Sequence, residues 1–181
     1  MEEIKFINDL KNIVEVGCAG AEIGVAAGGS SYEFLNWGIL SKLYMVDAWM
    51  RMPQLKRSTD AHFKQEWHDN NYSETLKKVE QFGDKAVILR GLATKMSVNI
   101  KDGELGFIFL DASHDYHSVM TDLNIWVPKV KKGGVVSGHD YLSHYHRGVK
   151  KAVDFYCSHY KYNPIVIPAH DNNSACFYFI K

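Results

Sequence analysis

The chain has 181 residues, of which 46% are hydrophobic, enough for one domain with a substantial core and too few for two independent ones. Lysine plus arginine equals aspartate plus glutamate, 21 against 21, so no global field draws the chain to nucleic acid or to an anionic membrane. Cys18, Cys157 and Cys176 lack metal-ligand spacing and imply no disulfide framework, no run approaches the roughly 20 apolar residues of a membrane span, and the first residues lack a signal-peptide pattern; the chain reads as soluble and cytoplasmic.

Between Glu3 and Asn12, Ile4, Phe6, Ile7 and Leu10 form a stripe that predicts a helix covering one end of a sheet. Two glycine-bearing segments compete for the first strand, Val14 to Gly17 and Ala21 to Gly24; the second is preferred because a helix start follows it directly. There an apolar run breaks into Gly24, Gly28 and Gly29, which allow positive φ and close approach to a ligand, and Ser30 or Ser31 can cap the helix that Tyr32, Phe34 and Leu35 begin. A strand, a tight turn and a helix start in this order end the first strand of nucleotide-type sheets. A glycine turn with no ligand is the competing reading.

The helix expected from about Ser31 to Leu40 leads into Lys42-Leu-Tyr-Met-Val-Asp47, an apolar strand ending in an acid, which completes a βαβ unit. An acid in that position can accept both hydroxyls of an adenosine ribose, so Asp47, twenty-five residues after Glu22, is the ribose candidate; capping the next turn is its plainer role. Trp49 to Tyr72 is rich in Met, His and aromatic residues and long for a simple connection. It predicts a helix or lid whose side chains either line a substrate pocket or only pack against the domain. Ser73 to Phe82 predicts a helix with Leu76, Val79 and Phe82 on one face and Gly83 as its stop; Ala86-Val-Ile-Leu-Arg90 predicts a third strand, with Gly91, Leu92 and Ala93 as its exit.

The apolar run Phe107 to Leu110 suits a strand covered on both faces, and it delivers Asp111, His114 and His117 at its carboxyl end. Val119, Leu123, Trp126 and Val130 form the next helical stripe, which Lys131-Lys-Gly-Gly134 is expected to end, and Val135 to Tyr141 reads as a fifth strand carrying His139 and Asp140. After a helix around Val149 to Tyr160, Pro164 to Pro168 and Ala175 to Ile180 read as an antiparallel pair joined through Asp171-Asn-Asn-Ser174.

Taken together, Gly20-Ala-Glu-Ile-Gly-Val25, Leu43-Tyr-Met-Val-Asp-Ala-Trp49, Phe109-Leu-Asp-Ala-Ser-His-Asp-Tyr116 and Lys132-Gly-Gly-Val-Val-Ser-Gly-His-Asp-Tyr141 resemble class I S-adenosylmethionine-dependent methyltransferases, nearest to the small bacterial O-methyltransferase-like group. The resemblance implies an α/β fold: a Rossmann-like, doubly wound sheet of seven strands in the order 3-2-1-4-5-7-6, the last antiparallel, with helices on both faces. It implies S-adenosylmethionine as cofactor, bound by Glu22, Gly24, Gly28, Ser30, Asp47, Ala48, Trp49, Gly91, Leu92, Ala93 and Asp111. The residues support that ligand independently. Gly24-Val-Ala-Ala-Gly28 lacks the close first pair of a G-x-G-x-x-G fingerprint, which disfavours a nicotinamide-dependent oxidoreductase, and carboxylates at strand tips suit a ligand with positive sulfonium and amino groups.

In the metal-dependent catechol and caffeoyl-CoA type relatives, an acid ends the fourth strand, an Asp-Asn pair follows the fifth, and a lysine three residues beyond the first acid removes the acceptor's proton. By that resemblance Asp111 keeps the first position, His139-Asp140 replaces the pair, and His114 stands where the lysine would be. Asp111, His139 and Asp140 are then candidate ligands for Mg²⁺ or another divalent cation, and His114, His139 and Asp140 the candidate catalytic residues. The implied activity is methyl transfer to a hydroxyl of a small molecule such as a sugar or secondary metabolite, with a homodimer as the oligomer allowed for. The alternative is a catalytically silent adenosylmethionine- or adenosylhomocysteine-binding domain or partner subunit. His117, His144, His146, His159 and His170 have no coherent spacing and read as solvated or hydrogen-bonded, Trp126 and Tyr156 as core. Nucleic-acid methylation is disfavoured by the charge balance and the lack of an Asn-Pro-Pro-Tyr-type motif.

Overall fold

The computed structural model describes residues 3–53, 60–168 and 175–181, with side chains from Ile7 onward. Helices α1 (Glu3–Lys11), α2 (Gly29–Asn36), α3 (Gln65–Val79), α4 (Ala93–Met96), α5 (Tyr116–Trp126) and α6 (Arg147–Tyr160) alternate with strands β1 (Ala19–Ile23), β2 (Lys42–Asp47), β3 (Ala86–Arg90), β4 (Leu105–Leu110), β5 (Val130–Gly138), β6 (Ile165–Ile167) and β7 (Cys176–Ile180). The strands form one sheet in the order β3-β2-β1-β4-β5-β7-β6. The first five run parallel, and β7 lies antiparallel to both β5 and β6. This is the topology that the motifs imply, and it places the reversal of strand order between β1 and β4.

β4 shows why the sheet is covered on both faces. All six of its residues are buried, and from Phe107 to Leu110 successive side chains alternate between two cores. Phe107 and Phe109 join Leu10, Phe34, Trp37, Leu43 and Met45 on one face; Ile108 and Leu110 join Trp126, Val136, Val153 and Phe179 on the other. The Phe34 ring sits edge-on to Phe107 and Phe109 at centroid distances of 5.2 and 5.0 Å, so α2 is anchored to the middle of the sheet. Trp126 and Tyr156 are core residues, as their patterns suggest.

Four local expectations change. α2 begins after Gly28 with no side-chain cap, so Ser30 and Ser31 lie inside its first turn rather than capping it. α3 starts eight residues before the expected Ser73, because Gln65 to Tyr72 is mostly polar and shows no clear apolar stripe; Leu76, expected to face inward, is exposed. Val130 belongs to β5, not to the preceding helix: Pro128 follows the end of α5, and the Lys131-Lys-Gly-Gly134 stretch is a break in the register of β4 and β5 within a continuous strand. The side chains of Ile4 and Phe6, His170 and the turn at Asp171-Asn-Asn-Ser174 lie outside the described residues.

Candidate active site

Four of the five parallel strands, β1, β3, β4 and β5, hand a hydrogen bond to the first residue of the loop that follows. The Gly24 N–H donates to the Val46 carbonyl at 2.9 Å, Asp111 to Ile23 at 2.8 Å, Gly91 to Asp47 at 2.8 Å and His139 to Leu110 at 3.1 Å. The sheet therefore sets where these residues stand. At Gly24 the β1 exit passes so close to the β4 exit that a Cβ would lie 2.1 Å from the Asp111 carbonyl oxygen, and its φ is +91°. Only glycine fits there.

Three carboxylates surround this turn. Glu22 is fully buried and accepts the hydroxyls of Ser30 and Ser31. Burial, helped by the negative charges of Asp111 and Asp47 and opposed by the two serine hydroxyls, raises its pKa to about 8. It supports the loop from beneath, sealed from solvent. Asp47 uses Oδ2 to accept the N–H groups of Val25 and Ala26, both at 2.9 Å, and Oδ1 to accept that of Trp49 at 2.8 Å. The Trp49 ring is buried; its Nε1 donates to the Ala26 carbonyl at 2.8 Å, and Thr75 and Lys78 of α3 donate to Ala26 and Ala27. Ala48 is half-buried between Asp47 and Trp49, and exposed Leu92 stands between Gly91 and Ala93 where α4 starts.

The β4 and β5 exits bring together the second group. Nε2 of His114 lies 3.1 Å from Oδ2 of Asp140 and 3.5 Å from Oδ1 of Asp111. Nδ1 of His139 lies 3.5 Å from Oδ1 of Asp140 and 4.0 Å from Oδ1 of Asp111. Burial acts to raise the Asp140 pKa, but the hydrogen bond and charge of His139, with the charges of His114 and His146, outweigh it and hold the carboxyl below its usual range. Burial and the charge of His114 lower the pKa of His146. Among the described residues, the non-glycine residues with left-handed backbone are Ala26, Trp49, Asp140 and Lys161, and three of these four sit at this edge of the sheet. Such conformations cost roughly 1–3 kcal/mol each and gather where geometry serves a ligand.

A family described as "Methyltransferase domain" matches residues 21–141, more than half of the chain and every strand that carries this edge. The chain belongs to that family. It is a class I S-adenosylmethionine-dependent methyltransferase domain. No curated protein matches the sequence. Its fold is similar to that of an O-methyltransferase from Bacillus cereus in complex with SAH, with TM-score 0.69 and 16% identity over 99% of this chain and 80% of that one. An rRNA methylase from Streptococcus thermophilus is similar at TM-score 0.70 and 9% identity, covering 100% and 96%. A precorrin 8w decarboxylase from Methanobacterium thermoautotrophicum is similar at TM-score 0.69 and 17% identity, covering 100% and 90%. Three different reactions are named for one fold, so the acceptor has to be argued from the site.

The methyltransferase edge fits its cofactor in charge: Asp47 and Asp111 set a negative field beside the turn at the switch point, suited to sulfonium and ammonium groups, while buried Glu22 keeps its proton and braces the turn. Asp111, His139 and Asp140 each place a ligating atom within 4.8 Å of the others, a spacing and donor set that fit a divalent cation. Two site-edge residues escaped the sequence reading. His146 packs its ring 4.1 Å from that of His114, although six residues and a turn separate it from Asp140. Asp122 of α5 lines the cleft shared by Asp111, His114 and His139, and burial with the charge of Asp115 raises its pKa to about 7. His117, His144 and His159 are exposed. Among the described residues no helix is long and apolar enough to cross a membrane.

Proposed function

We propose that this methyltransferase acts on a hydroxyl of a small acceptor, of the sugar or secondary-metabolite class. The observation that carries the reading is His114 Nε2 held between the carboxylates of Asp140 and Asp111, at 3.1 and 3.5 Å, beside the switch-point turn. An imidazole in that position can take the acceptor's hydroxyl proton, and the two carboxylates stabilise the imidazolium that results. S-adenosylmethionine, when bound, supplies a methyl group made electrophilic by its sulfonium. Asp47 and Asp111 would favour its positive groups, with Glu22 bracing the turn from beneath; Asp47, Ala48 and Trp49 would meet the ribose, and Gly91 to Ala93 the adenine. Asp111, His139 and Asp140 would hold a divalent cation, which lowers the pKa of a hydroxyl bound to it.

A small acceptor is favoured over nucleic acid because acidic and basic residues balance, 21 against 21. Buried thiols at Cys18 and Cys157 suit a reducing compartment such as the cytoplasm. Residues 1–181 are read as one catalytic domain.

Calorimetric titration with S-adenosylmethionine, followed by a screen of hydroxylated acceptors for release of adenosylhomocysteine, tests the reading. Saturable binding with turnover supports it. Binding without turnover on any acceptor class supports a silent binding domain, and no binding overturns the cofactor site.

A further inference from the structure

Asp140 stands between two groups of ligating side chains and turns one oxygen to each. Oδ1 lies 3.5 Å from Nδ1 of His139 and Oδ2 3.1 Å from Nε2 of His114, while Oδ1 of Asp111 borders both groups, 4.0 Å from His139 and 3.5 Å from His114. His146 completes the second side. One ligating atom from each of His114, Asp140 and His146 lies within 4.8 Å of the other two, so the three form a separate set that reuses only Asp140. Two ligands about 2.0–2.1 Å from an ion, at tetrahedral or octahedral angles, stand roughly 2.8–3.4 Å apart. The 3.1 Å separation of His114 and Asp140 falls inside that range.

The backbone imposes this grouping. Asp140 is held at φ +60°, and Ser143 Oγ accepts the His146 N–H at 3.2 Å, which curls the loop back toward β4. Gly148 lets α6 start directly against the His114 loop, because a Cβ there would lie 2.4 Å from the His114 carbonyl oxygen. Nδ1 of His146 is buried with no hydrogen-bond partner among the described residues. An unmet buried polar atom costs roughly 1–3 kcal/mol, which a bound ligand can relieve.

We propose that His114, Asp140 and His146 form a second divalent-cation site that takes Zn²⁺ or a similar transition ion in preference to Mg²⁺. Two imidazoles and one carboxylate suit zinc, iron or nickel, whereas Mg²⁺ favours an all-oxygen shell. Binding needs both imidazoles neutral, so it displaces whatever proton they carry into solvent. One consequence rests on the reading of His114 as the base: with an ion on Nε2 the neutral ring carries its proton on Nδ1, so neither nitrogen can receive the acceptor's proton. Zn²⁺ then inhibits transfer while S-adenosylmethionine stays bound.

The test uses the metal-free full chain without cofactor, titrated calorimetrically with Zn²⁺ and separately with Mg²⁺, as wild type, His146→Ala, His146→Asn and Asp111→Asn. Melting curves without metal establish that each variant is folded. Wild type is expected to bind Zn²⁺ more tightly than Mg²⁺, each His146 variant to bind Zn²⁺ roughly a hundredfold more weakly, and Asp111→Asn to stay within about threefold of wild type. Unchanged Zn²⁺ affinity in the folded His146 variants overturns the site. So does loss of Zn²⁺ binding in Asp111→Asn, which would put the ion on the other set, or absence of Zn²⁺ binding in wild type. None of these readouts involves an acceptor, so failure of the methyl-transfer reading is recognised separately.

Discussion

Oδ1 of Asp47 accepts the backbone N–H of Trp49 at 2.8 Å, so the acid that ends β2 holds its own exit turn. Its other oxygen holds the neighbouring one, through Val25 and Ala26. Asp47→Ala leaves three N–H groups without their acceptor, and we expect a loss of about 2–3 kcal/mol, or roughly 5–10 °C in Tm for a domain of this size. Asp47→Asn keeps one acceptor oxygen and should fall between. Scanning calorimetry without ligand reads this directly; an unchanged Tm in Asp47→Ala would mean that these bonds do not hold the two turns.

Burial of Glu22 has a pH signature. Its folded pKa, about 8, lies above the ordinary 4.5, so the folded chain keeps a proton that the unfolded chain has released. This contribution to stability is complete below about pH 4.5 and is lost as pH rises toward 8, at about 1.4 kcal/mol per pH unit at most. Asp122, raised from 3.8 to about 7, acts with the same sign. Glu22→Gln carries no titrating proton, so its denaturation free energy should decline less than that of wild type between pH 5 and 8. Parallel declines would place the Glu22 pKa near its ordinary value.

Much of this edge was legible in the chain because strands announce their ends. β2, β3 and β4 are apolar runs stopped by Asp47, Arg90 and Asp111, and in a parallel sheet a polar stop at a strand's carboxyl end marks the ligand side. Asp111, His114, His139 and Asp140 followed from that rule and do converge. Glu22 was placed at the right strand but not at the right depth: burial beneath α2 depends on where Ser30 and Ser31 point once the helix starts at Gly29. His146 left no signal, because its approach to His114 arises from the left-handed turn at Asp140 and the close start of α6 at Gly148. The first two turns of α3 fall within Trp49 to Tyr72, where the chain predicts a helix or lid but sets no bounds for it, for a similar reason. They are held by contacts such as Trp49 against Tyr72, at 4.9 Å, rather than by an apolar stripe of their own.

Gly24 and Gly29 lie in the same motif and should respond oppositely to alanine. At Gly24 the new Cβ meets the Asp111 backbone carbonyl at 2.1 Å in a left-handed conformation, and a backbone atom between two paired strands cannot yield. Gly24→Ala should cost about 3 kcal/mol or more and weaken S-adenosylmethionine binding at least tenfold. At Gly29, the first residue of α2, a Cβ meets nothing within 4 Å; Gly29→Ala should be neutral or stabilising by up to about 1 kcal/mol. Urea denaturation of both variants checks the pair, and equal losses would mean that the motif tolerates no side chain for reasons other than the Asp111 contact.

His114 carries the sharpest test of the proposed chemistry, because its Nε2 lies within 3.5 Å of the carboxylates of both Asp140 and Asp111. His114→Gln keeps a polar side chain of similar reach but cannot take a proton at neutral pH. With an accepted substrate in hand, it should lower kcat by about 10²–10⁴, the usual worth of a positioned base, and leave the affinity for S-adenosylmethionine within a few-fold of wild type. Removing the proton acceptor should also abolish the rise of kcat with pH that a neutral imidazole requires. A fall in cofactor affinity equal to the fall in turnover would make His114 a binding residue instead. Turnover that survives with its pH dependence intact would move the base elsewhere, and Asp140, already held ionised by the histidines around it, is where that search would begin.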